Sequence, residues 1–187
     1  MRPAVFIDRD GTMIELVPYL SDPSQVRLME QAGAAIRRLN ELGIPVVVIT
    51  NQSGIGRKYY SEEAFWAVQH EVERQLAAYG ARTDAVYFCP IACNEPDKTR
   101  VVFLDRKPGP GMLRRAAEEH VLDLDRSWMI GDSISDVHAG RNAGCATILV
   151  KTGYGGVQDQ SDSAIDQIAS DLSAAIDLVI QQYRKDR

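Results

Sequence analysis

The chain has 187 residues, 45% of them hydrophobic, with 21 Lys and Arg against 26 Asp and Glu for a formal net charge of -5. That length suits one domain, residues 1–187, able to bury a sizeable core, while the acidic balance argues against nucleic-acid or membrane-surface partners, which demand a basic face. The longest apolar stretches are strand-sized and no charged leader precedes the first, so a soluble cytoplasmic protein, expected to be a monomer, follows. Three cysteines, Cys89, Cys93 and Cys145, form an odd set that suits a reducing compartment.

In chain order, an apolar run at 5–7 ends in Asp8-Arg9-Asp10-Gly11-Thr12, which reads as a buried strand delivering two acids to its carboxyl edge. A helix is predicted over 31–42, stopped by Gly43, followed by a strand at 46–49. The next helix starts at Ser61 as cap, has Glu62 and Glu63 near its positive end, and spaces Phe65, Val68, Val72, Leu76 and Tyr79 for one buried face. A strand at 85–88, a helix from Pro108-Gly109-Pro110 to about His120, and a strand at 128–130 come next. A helix between Asp132 and Gly144 and a strand at 147–150 follow. After a polar loop at 153–163, a short edge strand at 164–168 and a closing helix from Leu172 are expected. The recurring strand-then-helix order predicts an α/β, doubly wound, Rossmann-like parallel sheet.

In such sheets the site lies beyond the carboxyl ends of the strands. The polar residues there are Asp8 and Asp10, then Thr50, Asn51, Gln52 and Ser53, then Arg106 and Lys107, then Asp132 and Asp136. Two acids one residue apart call for a divalent cation, and hard oxygen ligands favour Mg²⁺. The set suits phosphoryl transfer, in which positioning and charge neutralisation supply most of the catalysis. Asp8 is the expected nucleophile, and Asp10 the general acid and then base. Asp8 and Asp132 with the backbone carbonyl of Asp10 would hold the metal. Thr50 and Lys107 would donate to the phosphoryl oxygens. Asp136, one helical turn after Asp132, would hold Lys107 or a metal-bound water. Taken singly, each group has a plainer reading: Asp132 and Asp136 as helix caps, 50–53 as a polar turn, Lys107 as a solvated charge. Their joint order is what points to chemistry.

These residues resemble the haloacid-dehalogenase-like phosphatases over nearly the whole chain. Asp8-Arg9-Asp10-Gly11-Thr12 looks like their first motif, Thr50 the second, Lys107 the third, and Gly131-Asp132 with Asp136 the fourth. The strings Thr50-Asn51-Gln52-Ser53-Gly54-Ile55-Gly56-Arg57 and Arg106-Lys107-Pro108-Gly109-Pro110-Gly111-Met112 are similar to the branch of heptose-bisphosphate and histidinol phosphatases, the heptose enzymes being nearer. That resemblance implies removal of the 7-phosphate from a small phosphorylated sugar, D-glycero-D-manno-heptose 1,7-bisphosphate, on the way to ADP-heptose for lipopolysaccharide core, with Mg²⁺ as cofactor. It places the substrate-recognising arginine at Arg106 and a substrate loop at 16–19, where Leu16 and Val17 replace polar residues and leave Tyr19 as the contact. Ser133 stands where a lysine is common. Further substrate contacts are expected from Arg9, Asn51, Gln52, Ser53 and Arg57, with Lys58 also on the rim.

Relatives in this branch commonly carry a structural zinc bound by a Cys-x-His and a Cys-x-Cys pair. Here Cys89 remains, but Ile91, Phe103 and Asp105 occupy the other positions, so no zinc is expected. His70, His120 and His138 are read as solvated or satisfied helix residues. Neither interval that carries a lid in related phosphatases has room for one, so an open site rimmed by loops 13–26, 54–60 and 90–106 is expected, with no separate cap domain. Two rivals stand. Histidinol phosphate carries an amine that would seek Glu95 or Asp97. A phospho-accepting receiver domain shares the acidic pocket, Thr and Lys, but lacks an acid-base two residues from its phosphorylated Asp.

Overall fold

The computed structural model describes residues 1–158 and 160–185. Six parallel strands form one sheet in the order β3-β2-β1-β4-β5-β6. They are β1 (Val5–Ile7), β2 (Val46–Asn51), β3 (Ala85–Cys89), β4 (Trp128–Gly131), β5 (Ala146–Val150) and β6 (Gln167–Ala169). The chain winds outward from β1 through β2 to β3, then returns to the other side of β1 for β4, so the order reverses between β1 and β4. Diverging connections open a crevice at the carboxyl ends on either side of such a point.

The pleat divides the central strands between two cores. Val5, Ile7, Val46, Val48, Ile130, Ile148 and Val150 face one side, where α1 (Ala32–Glu41), α3 (Glu62–Ala77) and α6 (Leu172–Lys185) cover them. Phe6, Val47, Ile49, Tyr87, Cys89 and Met129 face the other, under α4 (Gly111–His120) and part of α5 (Ile134–Ala143). Helix α1 buries Ala32, Ala35, Ile36 and Leu39 at helical spacing. Ser61 caps α3 by accepting from the Ala64 N–H at 3.3 Å, and Glu62 and Glu63 lie in its first turn.

Two expectations need correction. Tyr79 lies beyond the end of α3 and is exposed; its ring covers Gly33 at the surface, so helical spacing overran the helix by a turn. The edge strand begins later than expected, at Gln167, because Asp166 leaves the ladder to accept the backbone N–H of Thr147 at 2.9 Å. Among the described residues no helix is long and apolar enough to cross a membrane.

Candidate active site

Strand β1 ends at Ile7, and the next residue, Asp8, is 6% exposed. Lys107, brought in from the segment before α4, places its Nζ 2.5 Å from Asp8 Oδ1, 2.6 Å from Asp136 Oδ1 and 2.8 Å from the Ile49 carbonyl. All three ammonium hydrogens therefore have acceptors. The lysine is held there by a two-way bond at 3.1 Å: Asn51 Nδ2 donates to the Lys107 carbonyl, and the Lys107 N–H donates to Asn51 Oδ1. Asp136 is fixed from below, since its Oδ2 accepts the Ser133 N–H at 3.0 Å in the capping box that starts α5.

Asp132, at the end of β4, completes the group: Asp8, Asp132 and Asp136 each bring a carboxylate oxygen within 4.8 Å of the others. One Asp132 oxygen accepts the Tyr154 N–H at 2.7 Å. Gly11, at φ +89°, packs against the same carboxylate, and a Cβ there would lie 2.2 Å from Asp132 Oδ2, so a side chain at position 11 would displace the acid. Burial and the Asp136 charge push Asp132 up to about 7. Burial, opposed by Lys107 and reinforced by the other carboxylates, raises Asp8 well above the ordinary carboxylate range. Burial alone would lower Lys107, but the charges of Asp136 and Asp8 outweigh it and hold the ammonium protonated. Three buried acids around one ammonium leave the pocket short of positive charge, and hard carboxylate oxygens are the donors Mg²⁺ takes, so these residues fit that ion.

Asp10 turns away from that group. Its Oδ2 accepts Gln52 Nε2 at 2.8 Å and Arg9 Nε at 3.2 Å, its Oδ1 accepts Arg9 Nη2 at 3.2 Å, and Thr50 Oγ1 lies 3.5 Å from Oδ2. Two carboxylates from one strand end thus sit in contrasting surroundings, one desolvated beside an ammonium and other acids, the other amid N–H donors at the edge of the cleft. Such divergence suits them to different chemical roles.

The cleft brings together most of the expected set: Asp8, Asp10, Tyr19, Thr50, Asn51, Gln52, Ser53, Arg106, Lys107, Asp132 and Asp136 all line it. Three others are placed differently. Arg9 is fully buried behind Asp10, its guanidinium 5.0 Å from the Phe65 ring centroid, so it orients the acid rather than lining the cleft. Arg57 lies off the cleft wall and donates to Asn94 at 2.8 Å. Lys58 is exposed at φ +60°, also off the wall. The rim has a fourth wall as well. Tyr154 and Gln158, after β5, line the cleft, and Thr152 Oγ1 donates to the Gly11 carbonyl at 2.7 Å. Inspecting the carboxyl end of the fifth strand as well as the others would have found this segment. Tyr60, Lys98 and Arg100 also face the cleft, and no spacing in the sequence marks them.

A profile of the HAD-hydrolase-like family matches residues 104–175. A D-glycero-D-manno-heptose-1,7-bisphosphate 7-phosphatase of Thermosynechococcus vestitus is 42% identical over 187 residues, covering 95% of this chain and 95% of its own length. The chain belongs to the haloacid-dehalogenase-like phosphatases, in their heptose-bisphosphate branch. This phosphatase is also 34% identical to the D-glycero-beta-D-manno-heptose-1,7-bisphosphate 7-phosphatase of Yersinia pestis, with 97% of each chain covered. Its fold is similar to the crystal structure of D,D-heptose 1,7-bisphosphate phosphatase from B. bronchiseptica complexed with magnesium and phosphate, at a TM-score of 0.85, 31% identity, and coverage of 97% of this chain and 99% of that one. The fold and branch expected from the motifs therefore hold, and a phosphatase whose acidic pocket fits Mg²⁺ is the coarse description of the site.

Proposed function

We propose that this phosphatase removes the 7-phosphate of D-glycero-D-manno-heptose 1,7-bisphosphate, contributing to ADP-heptose formation for lipopolysaccharide core. The reading rests on the contrast between Asp8 and Asp10 at one strand end. An Asp8 oxygen attacks phosphorus as the bond to the 7-oxygen breaks, and Asp10 gives its proton to that leaving oxygen. Water then attacks the aspartyl-phosphate while Asp10 takes a proton from it, releasing phosphate and restoring Asp8. Lys107 and the Thr50 hydroxyl donate toward the phosphoryl oxygens. Bound Mg²⁺, held by Asp8 and Asp132 with the Asp10 carbonyl, would neutralise charge on the transferring group. Phosphate release from a panel of sugar bisphosphates, both anomers included, should be fastest on the heptose 1,7-bisphosphate, leave the 1-phosphate in place and need Mg²⁺. A higher kcat/KM on histidinol phosphate would sink the assignment. Glu95 and Asp97 do line the cleft, but Glu95 is ion-paired with Arg100 at 3.2 Å and Asp97 accepts the N–H and hydroxyl of Thr99, so both are already engaged.

Arg106 is proposed to hold the second phosphate. Its Nη1 donates to the Ile91 carbonyl at 2.7 Å, which anchors the guanidinium on the cleft wall. Arg106→Ala should reduce kcat/KM on the bisphosphate by about tenfold or more, as loss of a charge-assisted contact does, with a smaller loss on a monophosphate. Equal losses on both would overturn that role. We further propose that Mg²⁺ works here without a zinc. Cys89 points into the apolar face of the sheet, where burial pushes its thiol up, and Cys93 lies in the cleft wall. Elemental analysis of purified protein is expected to give no stoichiometric zinc, and one zinc per chain would overturn this.

A further inference from the structure

Gln52 carries more hydrogen bonds than a polar turn requires. Its backbone N–H donates to the Cys89 carbonyl at 2.8 Å. Its Nε2 donates to both Asp10 Oδ2 and Thr50 Oγ1 at 2.8 Å, and its Oε1 accepts the Tyr60 hydroxyl at 2.6 Å. The side-chain amide therefore has both N–H groups and its oxygen engaged, and it is 4% exposed. An amide can be turned end for end at almost no steric cost, and turning this one would set Oε1 against the Asp10 carboxylate. The Asp10 carboxylate, which can only accept, sets the orientation, and the Tyr60 hydroxyl, donating to Oε1, anchors the amide in it. Burial pushes the Tyr60 phenol up to about 12, so it remains a donor across the neutral range.

From this geometry, and resting on the phosphatase reading above, we infer that Tyr60 is a positioning residue for the acid-base step: through the Gln52 amide it holds Asp10 Oδ2 as an acceptor and leaves Oδ1 to carry the transferred proton. Oδ2 takes Gln52 Nε2, Arg9 Nε and, at 3.5 Å, the Thr50 hydroxyl, with Arg9 Nη2 also 3.0 Å away, whereas among the described residues Oδ1 takes only an Arg9 Nη2 hydrogen at 3.2 Å and keeps a lone pair open. Among the described residues no second donor meets Oδ1, so a proton resident there faces no competitor in that open direction. Without the Tyr60 hydroxyl, Oε1 loses the donor that fixes it, and the amide can swing the shortest of the Asp10 contacts away from Oδ2. The ring itself is seated by Gly54: a Cβ at position 54 would lie 2.1 Å from Tyr60 Cε1. Tyr60→Phe therefore removes the hydroxyl and keeps the packing.

The test compares two phosphate esters by first-turnover release of the leaving group. The heptose bisphosphate expels an alkoxide that needs the Asp10 proton; 2,4-dinitrophenyl phosphate expels a phenolate that does not. Tyr60→Phe should slow the sugar ester about tenfold, part of the about 10²- to 10⁴-fold that acid-base catalysis supplies, with KM changed less than about twofold and the aryl ester slowed less than about threefold. In a Gln52→Met background, where the hydroxyl has lost its acceptor, the same change should add less than about twofold. Equal slowing of both esters, or an undiminished tenfold effect in the Gln52→Met background, would overturn the inference. Wild-type protein that hydrolyses another alkyl phosphate in place of the heptose ester overturns the substrate assignment alone, and the comparison is then made with that ester. No hydrolysis of any phosphate ester overturns the phosphatase reading and the relay with it.

Discussion

Asp8→Asn is expected to lower turnover by about 10⁴-fold or more and to abolish covalent labelling from a phosphate ester, because an amide is no nucleophile toward phosphorus. The variant should still fold. Asp8 is one of several buried acids competing for Lys107, and its own ionisation is opposed by burial and by Asp136 and Asp132. With Asn in its place, Lys107 keeps Asp136 and the Ile49 carbonyl as acceptors. Asp10→Asn makes the informative partner experiment. It removes the proton donor and the base but leaves the nucleophile, so turnover should collapse while acid-quenched protein retains some covalent phosphate. A folded Asp8→Asn variant with more than about 1% of wild-type activity would remove Asp8 from the nucleophile's role.

Lys107→Gln is expected to damage stability and activity together. Lys107 is 4% exposed and its ammonium is the cation that Asp8 and Asp136 share. Removing one partner of a buried charge set leaves the others uncompensated, at a cost of about 3–5 kcal/mol. For a chain of this size each kcal/mol lowers Tm by about 2–4 °C, so metal-free variant should melt about 6–20 °C below metal-free wild type. Millimolar Mg²⁺ should raise the Tm of the variant by more than it raises that of the wild type, since the cation then meets acids that no ammonium neutralises. Turnover should fall by about 10²- to 10³-fold even with Mg²⁺ present, through loss of a donor aimed at developing charge. Equal melting temperatures of variant and wild type in a chelator would show that Lys107 does not neutralise the cluster.

These two experiments test residues that the chain announces in one dimension. Asp8, Asp10, Thr50, Lys107 and Asp132 each follow an apolar run or precede a helix, and the rule that sites collect at carboxyl ends of parallel strands is enough to group them. Residues whose role depends on a neighbour distant in sequence were not legible in that way. Arg9 stands between the two acids in the chain, which suggests a substrate contact, yet the turn after β1 sends it inward against the Phe65 ring to brace Asp10. Arg57 looks available beside a glycine-rich turn, yet Asn94, 37 residues on, takes its guanidinium. Tyr60 carries no pattern at all. Its meaning comes from Gln52, which comes from Asp10, 42 residues away.

The amino-acid order alone determined the strand-and-helix alternation, and hence the parallel sheet, because apolar periodicity and caps act over a few residues and need no distant partner. It also determined which acids, hydroxyl and lysine gather at the crevice, since each stands at the end of its own strand or just before its own helix. Only the tertiary structure decided how those groups divide their hydrogen bonds. It gave Lys107 to Asp8 and Asp136, sent Asp10 to Arg9 and Gln52, and closed the fourth wall with Thr152 and Tyr154. The physical reason is that a buried polar atom is satisfied by whichever partner is nearest in space, and for these atoms, the Arg9–Asp10 pair apart, that partner lies on another strand end or loop.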